Sequence, residues 1–436
     1  MSSLASRDLF AQPFTAADFA TAAQEIYSTL LPTPQLAWPL LAERCGCEVW
    51  VKHENHLPTG AFKVRGGLWF MRQLREAQPE LRGVVAATRG NHGQSIAFAA
   101  QRHDLAAVVV VPHGNNPDKN RAMRALGAEL IEHGEDFNAA LDHAAVLASE
   151  RGFYAMPSFH PLLVQGVGTY AYELLRALPQ LDTVYVPIGL GSGIAGMLAA
   201  RNALGLATEV VGVVSAHADA YAQSFERGEV VSTGSADTLA DGLAVRVPSA
   251  QALDYLRSGV ARVVRVSDDE VLAAMAELFA ATHNLAEGAG AAPLAALIKE
   301  RDVMRGRRVA VVLSGGNVDS ATFKVRGAKF AKVYRAMMAA EGGGRAKRSP
   351  AERHFCGECG SALWVWDPRW PELIHPFASA IDSELPAAPE RTHLMLGSKA
   401  GWVPVLTGKR DKRFDEYPRE AIAEWHQRLS LETPDD

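Results

Sequence analysis

Cysteine is scarce in this chain. Only four occur in 436 residues, as two close pairs, Cys45/Cys47 and Cys356/Cys359. That is too few for the disulfide framework of a secreted protein of this length and points to a reducing cytoplasm. Long apolar runs are missing too, since none reaches the roughly 18 residues of a membrane span. The N-terminus, MSSLASRDLFAQPF, lacks the charged-then-apolar layout of a signal peptide. Basic residues form no patch and the formal net charge is −5, which excludes a surface built to grip a nucleic-acid backbone. No repeat of solenoid period occurs. What remains is a large globular protein that works on a small molecule.

From about residue 45 to 320, β-rich runs alternate with helical periodicity. The strand-like runs are EVWVKHE (48–54), GVVAAT (83–88), AAVVVVP (106–112), TVYVPI (183–188), EVVGVVS (209–215) and RVAVVLS (308–314). Between them lie helix-like stretches such as LWFMRQLREA, QSIAFAAQRH and TYAYELLRAL. Near-continuous apolar strands separated by helices predict an α/β fold with parallel sheets covered on both faces. In such sheets ligands sit beyond the carboxyl ends of the strands, so the loops that follow them carry the information.

After the first run comes NHLPTGAFKVRGG. Pro58 and Gly60 make a tight loop and a helix is expected to begin near Lys63. A lysine at such a junction, behind a buried strand, can be desolvated and lose its proton, which is the form that makes a Schiff base. An arbitrary lysine in a first helical turn is otherwise a surface residue. FKVRG recurs at 323–327 around Lys324, but no Pro-Thr-Gly loop precedes it, so Lys324 is read as a structural or surface residue on the last helix of the domain. The second run leads into Thr88-Arg89-Gly90-Asn91-His92-Gly93, where glycines let backbone approach a ligand and Asn91 brings an amide. The run TVYVPI leads into Gly189-Leu190-Gly191-Ser192-Gly193 and a helix, which is a cradle of N–H groups for a phosphate. A dinucleotide would want an acid at the end of the next strand. That strand ends at Ser215 with its only acid, Glu209, at the beginning, so a single phosphate fits better. The last run ends in Ser314-Gly315-Gly316-Asn317, a hydroxyl with glycines beside it that could also be an ordinary turn serine. An amine for an aldehyde, an amide, a one-phosphate cradle and a hydroxyl are together the parts needed to hold pyridoxal phosphate.

PTGAFKVRGG, GNHGQ, GLGSG, NLAEGAGAAPLAAL and LSGGN, in that order, resemble the fold type II pyridoxal-phosphate enzymes, and among them the serine/threonine dehydratases and serine racemases, over about residues 15–335. The resemblance implies a two-lobed fold with a smaller lobe at roughly 50–160, and a homo-oligomer, a dimer. It implies that Lys63 carries the cofactor beside Phe62, that Asn91 meets the ring hydroxyl, Gly189–Gly193 the phosphate and Ser314 the pyridine nitrogen, and that Thr88–His92 holds the substrate. The implied reaction is α,β-elimination: Lys63 removes the Cα proton, the β-hydroxyl leaves with the cofactor's phosphate as proton donor, and a 2-oxo acid and ammonia result. A neutral Ser314 hydroxyl cannot keep the pyridine nitrogen protonated as a carboxylate would, which favours loss of a leaving group.

Three departures narrow this reading. Racemases of the group carry a serine as second base where this chain has Arg89, and an arginine is always charged. Racemization is then a side activity at most, and Arg89 either meets a second polar or anionic group on the substrate or turns to solvent or a structural acid. A β-replacement synthase on the same fold is a further alternative. The acids with which some relatives hold a divalent cation align with Val214 and Ala220, and Asp219 and His217 do not rebuild a hard oxygen site. No isoleucine-sensing regulatory domain is recognisable, so a catabolic role is expected.

Residues 336–353 read as a linker, Gly-rich and then basic. Residues 354–436 read as a separate small β-rich domain. HFCGECGSALWVW, ASAID, KAGWVPV and FDEYP resemble the later half of the zinc-binding glutathione-dependent formaldehyde-activating family. Its earlier cysteines have no counterpart, so a truncated module for structure or assembly is expected, without formaldehyde chemistry. Cys356 and Cys359 supply two of the four ligands of a structural zinc, completed by His354, His375 or another subunit, or are two reduced cysteines in a β-turn. In the alternative from another class, the chain is a zinc-binding assembly protein with an inactive first domain.

Overall fold

Strands rich in valine bury both faces only when helices cover them, and this organises the protein. The computed structural model describes residues 8–318 and short stretches between 331 and 428. Its chain divides into two units, Met1–Phe323 and Lys324–Asp436. The larger sheet of the first unit runs in the order Gln35–Ala37, Glu48–His53, Arg308–Leu313, Thr183–Pro187, Glu209–Ser215, Val260–Val266. All its pairings are parallel except that of Gln35–Ala37. Side chains alternate across it. Val184, Val186, Val210 and Val312 face the core under helices Pro161–Ala177 and Ser192–Ala203. Tyr185, Val211, Val213 and Val311 face the opposite core, under helices Asp268–Thr282 and Gly288–Lys299. That is the two-residue period of a strand buried on both sides. Each of these valines contributes roughly 1.5–3 kcal/mol by leaving water.

The second sheet is wholly parallel, in the order Glu129–Glu132, Ala106–Val111, Gly83–Ala87, Tyr154–Ala155. This smaller lobe begins later than residue 50, because Glu48–His53 pairs with Arg308–Leu313 in the larger sheet. Each strand run expected from the sequence is found, within two residues at either end. Helix ends carry their expected chemistry: Ser267 and Glu270 form a reciprocal capping box at the start of Asp268–Thr282.

The second unit holds a four-stranded antiparallel sheet in the order Ala331–Tyr334, Glu352–Cys356, Ala362–Trp366, Ile374–Pro376. It starts before the expected linker, since Ala331–Tyr334 pairs with Arg353–Cys356. Within 336–353, Met337–Met338 pairs with Lys347–Arg348. Lys324 lies outside the described residues. No helix among the described residues is long and apolar enough to cross a membrane.

Candidate active site

Four strands of the first unit, ending at His53, Ala87, Pro187 and Leu313, hand over to loops that enclose one cavity of about 430 Å³. Phe62, Lys63, Thr88–His92, Gly189–Gly193 and Ser314 all line it, so the structure brings together every first-unit residue singled out above. Helices Lys63–Ala77, Asn91–Arg102 and Ser192–Ala203 begin at this cavity. Their N-terminal N–H groups and dipoles favour an anion there.

The helix of Lys63 starts at that residue, as expected. Its amine is buried and donates to Ser192 Oγ at 3.0 Å. Burial pushes its pKa down to about 8, because the low-dielectric surroundings disfavour the ammonium form. Phe62 lies under it, with Nζ 5.1 Å from the ring centroid. The Phe62 N–H bonds to the Ser314 carbonyl at 3.0 Å, which ties the lysine loop to the turn that carries Ser314. The Ser314 side chain is itself buried.

The glycine loop is held from behind. Tyr221 donates to the Leu190 carbonyl at 3.1 Å, and Tyr170 to the Gly193 carbonyl at 3.0 Å. Gly191 has φ +97°, and a Cβ there would stand 2.7 Å from Ala252. Only glycine fits this left-handed, close-packed position.

In the other loop Thr88 is buried and its Oγ1 accepts from the Gly90 N–H at 3.1 Å. Arg89 is exposed at the cavity edge. His92 is buried and its Nε2 has no hydrogen-bond partner. Burial, then the Lys63 charge, push its pKa down to about 3, so the ring is neutral. A buried, unpaired nitrogen is costly unless a bound molecule supplies its partner.

Some cavity residues had no role assigned from sequence. Glu287 is buried against Asn91, whose Nδ2 donates to Glu287 Oε1 at 2.8 Å, and burial pushes its pKa up to about 7. Lys119 and Asp241 form an ion pair at 2.5 Å. The one available signal was an acid opening the apolar helix GAGAAPLAAL; nothing local marks Lys119 or Asp241. Asp219 is bound to Arg265 at 2.8 Å and Gln223 at 2.7 Å, so its carboxylate is already engaged.

Zinc finds no support. No group of three or more His, Cys, Asp or Glu placed to hold a metal occurs among the described residues. Cys356 and His375 lie on strands, and Cys359 lies outside the described residues. His354 approaches Glu352 at 3.3 Å. Cys45 and Cys47 are free and buried, and burial pushes their thiols up to about 12 and about 11.

The residues of the cavity fit pyridoxal phosphate: a deprotonatable buried amine, a glycine cradle at a helix N-terminus and a neutral hydroxyl. Residues 26–315 match the pyridoxal-phosphate dependent enzyme family. The chain is 38% identical to an L-threonine ammonia-lyase of Geobacter sulfurreducens over 65% of this chain and 71% of that protein. It is 33% identical to the catabolic L-threonine dehydratase of Escherichia coli over 68% of this chain and 90% of that one. Among solved structures, a bacterial-type threonine deaminase from T.th. is similar at a TM-score of 0.66 and 32% identity, over 72% of this chain and 100% of that one. Maize serine racemase gives 0.68 and 26%, over 71% and 96%. The matched residues end before the tail, whose resemblance to formaldehyde-activating proteins is not carried by them. The first unit thus combines the fold, the buried lysine and the sequence of one group of proteins: the chain belongs to the pyridoxal-phosphate dependent enzyme family.

Proposed function

We propose that the protein is a dehydratase that converts a β-hydroxy amino acid of the threonine or serine type to a 2-oxo acid and ammonia. The observation that carries this is Lys63, a buried amine with its pKa pushed down to about 8, in one cavity with Asn91, the Gly189–Gly193 cradle and Ser314. The naming of its relatives as threonine ammonia-lyases and dehydratases supports it. Lys63 would hold the cofactor, Gly189–Gly193 would bind its phosphate through backbone N–H groups, and Asn91 and Ser314 would meet the ring. Pyridoxal phosphate, when bound, supplies an electron sink for the pair left behind when a Cα–H bond breaks. Lys63, once released by the incoming substrate amine, is the base for that proton, and its lowered pKa keeps a useful fraction unprotonated near neutrality. Loop Thr88–His92 orients the substrate carboxylate at a helix N-terminus.

The test is to give the purified protein, loaded with pyridoxal phosphate, a panel of β-hydroxy amino acids and to measure oxo acid, ammonia and opposite enantiomer together. Equal oxo acid and ammonia support the dehydratase; enantiomer without ammonia would replace it with a racemase.

Arg89 extends the proposal to substrates with a second anionic or polar group. Its guanidinium stands at the cavity edge and cannot act as a base. Arg89→Ala is expected to raise KM for a β-hydroxy dicarboxylic amino acid by about tenfold or more, the worth of a charged hydrogen bond, and to leave threonine within about twofold. Equal losses on both substrates would show that Arg89 does not read the side chain.

A further inference from the structure

Backbone carbonyls accept hydrogen bonds and never donate them. This fixes the orientation of three side chains beside the cavity. The Asn317 amide faces the Thr59 carbonyl at 2.8 Å, so the atom there must be Nδ2. That same Nδ2 lies 2.8 Å from Asn91, so the Asn91 atom facing it must be Oδ1. The other end of the Asn91 amide, Nδ2, then meets Glu287 Oε1 at 2.8 Å. One hydrogen of Asn91 Nδ2 is taken by Glu287, and the second is the donor left over.

We propose that Asn317 and Glu287 are positioning residues that clamp the Asn91 amide from both ends, so that Asn91 offers the cofactor ring only a hydrogen-bond donor. The proposal rests on the reading of this cavity as the pyridoxal-phosphate site. A donor suits a ring oxygen that carries negative charge, whereas a rotated amide would present Oδ1 and repel it.

Room for the clamp is built into the backbone. A Cβ at Gly60 would stand 2.4 Å from Asn317 Oδ1, and one at Gly315 2.5 Å from Glu287 Oε1. Gly60 also has φ +65°. The clamp ties three loops together, since Gly60 follows the strand Glu48–His53, Asn91 opens a helix, and Asn317 follows the strand Arg308–Leu313. Glu287 is held up to about 7 by burial, so near neutrality much of it is uncharged and adds little negative charge beside the ring. The charged groups facing it, Lys119 and Asp241, already pair with each other at 2.5 Å.

The test titrates cofactor-free protein with pyridoxal phosphate and reads affinity from cofactor absorbance, for wild type, Asn317→Ala, Asn91→Ala and the double variant. Asn317→Ala is expected to weaken binding about tenfold, as loss of one charge-assisted hydrogen bond would. In the Asn91→Ala background the same change is expected to cost less than about twofold, because the clamp then has nothing to hold. Glu287→Leu should also lose about tenfold and Glu287→Gln, which can still accept from Asn91, should restore binding to within about threefold. Equal losses from Asn317→Ala in both backgrounds, or no rescue by glutamine, would overturn the clamp. Failure of wild type itself to bind pyridoxal phosphate would instead overturn the reading of the cavity.

Discussion

Lys63→Met abolishes turnover and, at neutral pH, makes the cofactor-free protein more stable than wild type. Loss of the general base alone removes roughly a hundred- to ten-thousand-fold in rate, and loss of the covalent anchor adds to that. The gain in stability follows from the lysine's pKa, lowered by burial from 10.5 to about 8. Below pH 8 the amine is protonated in the folded and the unfolded chain, and the fold bears the whole cost of burying that charge. Between pH 8 and 10.5 the folded protein has released the proton while the unfolded chain still holds it, so the penalty fades as pH rises. Its full size is about 3 kcal/mol, on the order of a shift of that width. Denaturant melts of wild type and Lys63→Met at about pH 7 and about pH 10 measure this directly, and the gap between them should narrow at the higher pH. A variant no more stable than wild type at neutral pH would mean that the amine is not desolvated in solution. Lys324→Ala, at the second FKVRG, should keep full turnover.

Arg65→Met is expected to destabilise the first unit by about 3–5 kcal/mol, the cost of stranding a buried charge by removing its partner. Arg65 is fully buried two residues beyond Lys63. Its Nε meets Glu54 at 2.7 Å, Nη1 meets Glu173 at 2.6 Å, and Nη2 meets Glu54 and Glu173 at 3.0 Å each. Lys52, also buried, reaches Glu173 at 2.5 Å, and Tyr27 donates to Glu173 at 2.7 Å. With Arg65 gone, the carboxylates of Glu54 and Glu173 face each other with only Lys52 to balance them. That loss is a large part of the roughly 5–15 kcal/mol that holds a domain folded. The cluster joins the strand Glu48–His53, the helix of Lys63 and the helix Pro161–Ala177, so it also sets where Lys63 stands. Arg65→Lys should rescue little, because a point charge cannot span two carboxylates. A thermal midpoint within about 2 °C of wild type, where roughly 10 °C is expected, would show that the cluster relaxes without cost.

The core strands were legible because both their faces are buried, which leaves an unbroken apolar run in the sequence. Glu129–Glu132 and Val260–Val266 were not. Both lie at sheet edges, and the polar residues on them break the apolar run. Arg262 and Arg265 interrupt the second, and they pair with Glu300 at 2.6 Å and Asp219 at 2.8 Å. The start of the second unit was misplaced for a similar reason: AKVY at 331–334 has partners only across the sheet, at Arg353–Cys356.

The sequence by itself determined the sheet-and-helix alternation, the loops that carry the cavity, and Lys63 over Lys324, because loop chemistry and strand periodicity are local. Only the tertiary structure decided that Arg65 is a buried ion-pair centre, that Glu287 is held up to about 7, and that Asn317 reaches Asn91 across 226 residues. Burial and long-range pairing set those properties, and neither is written in any short stretch of chain.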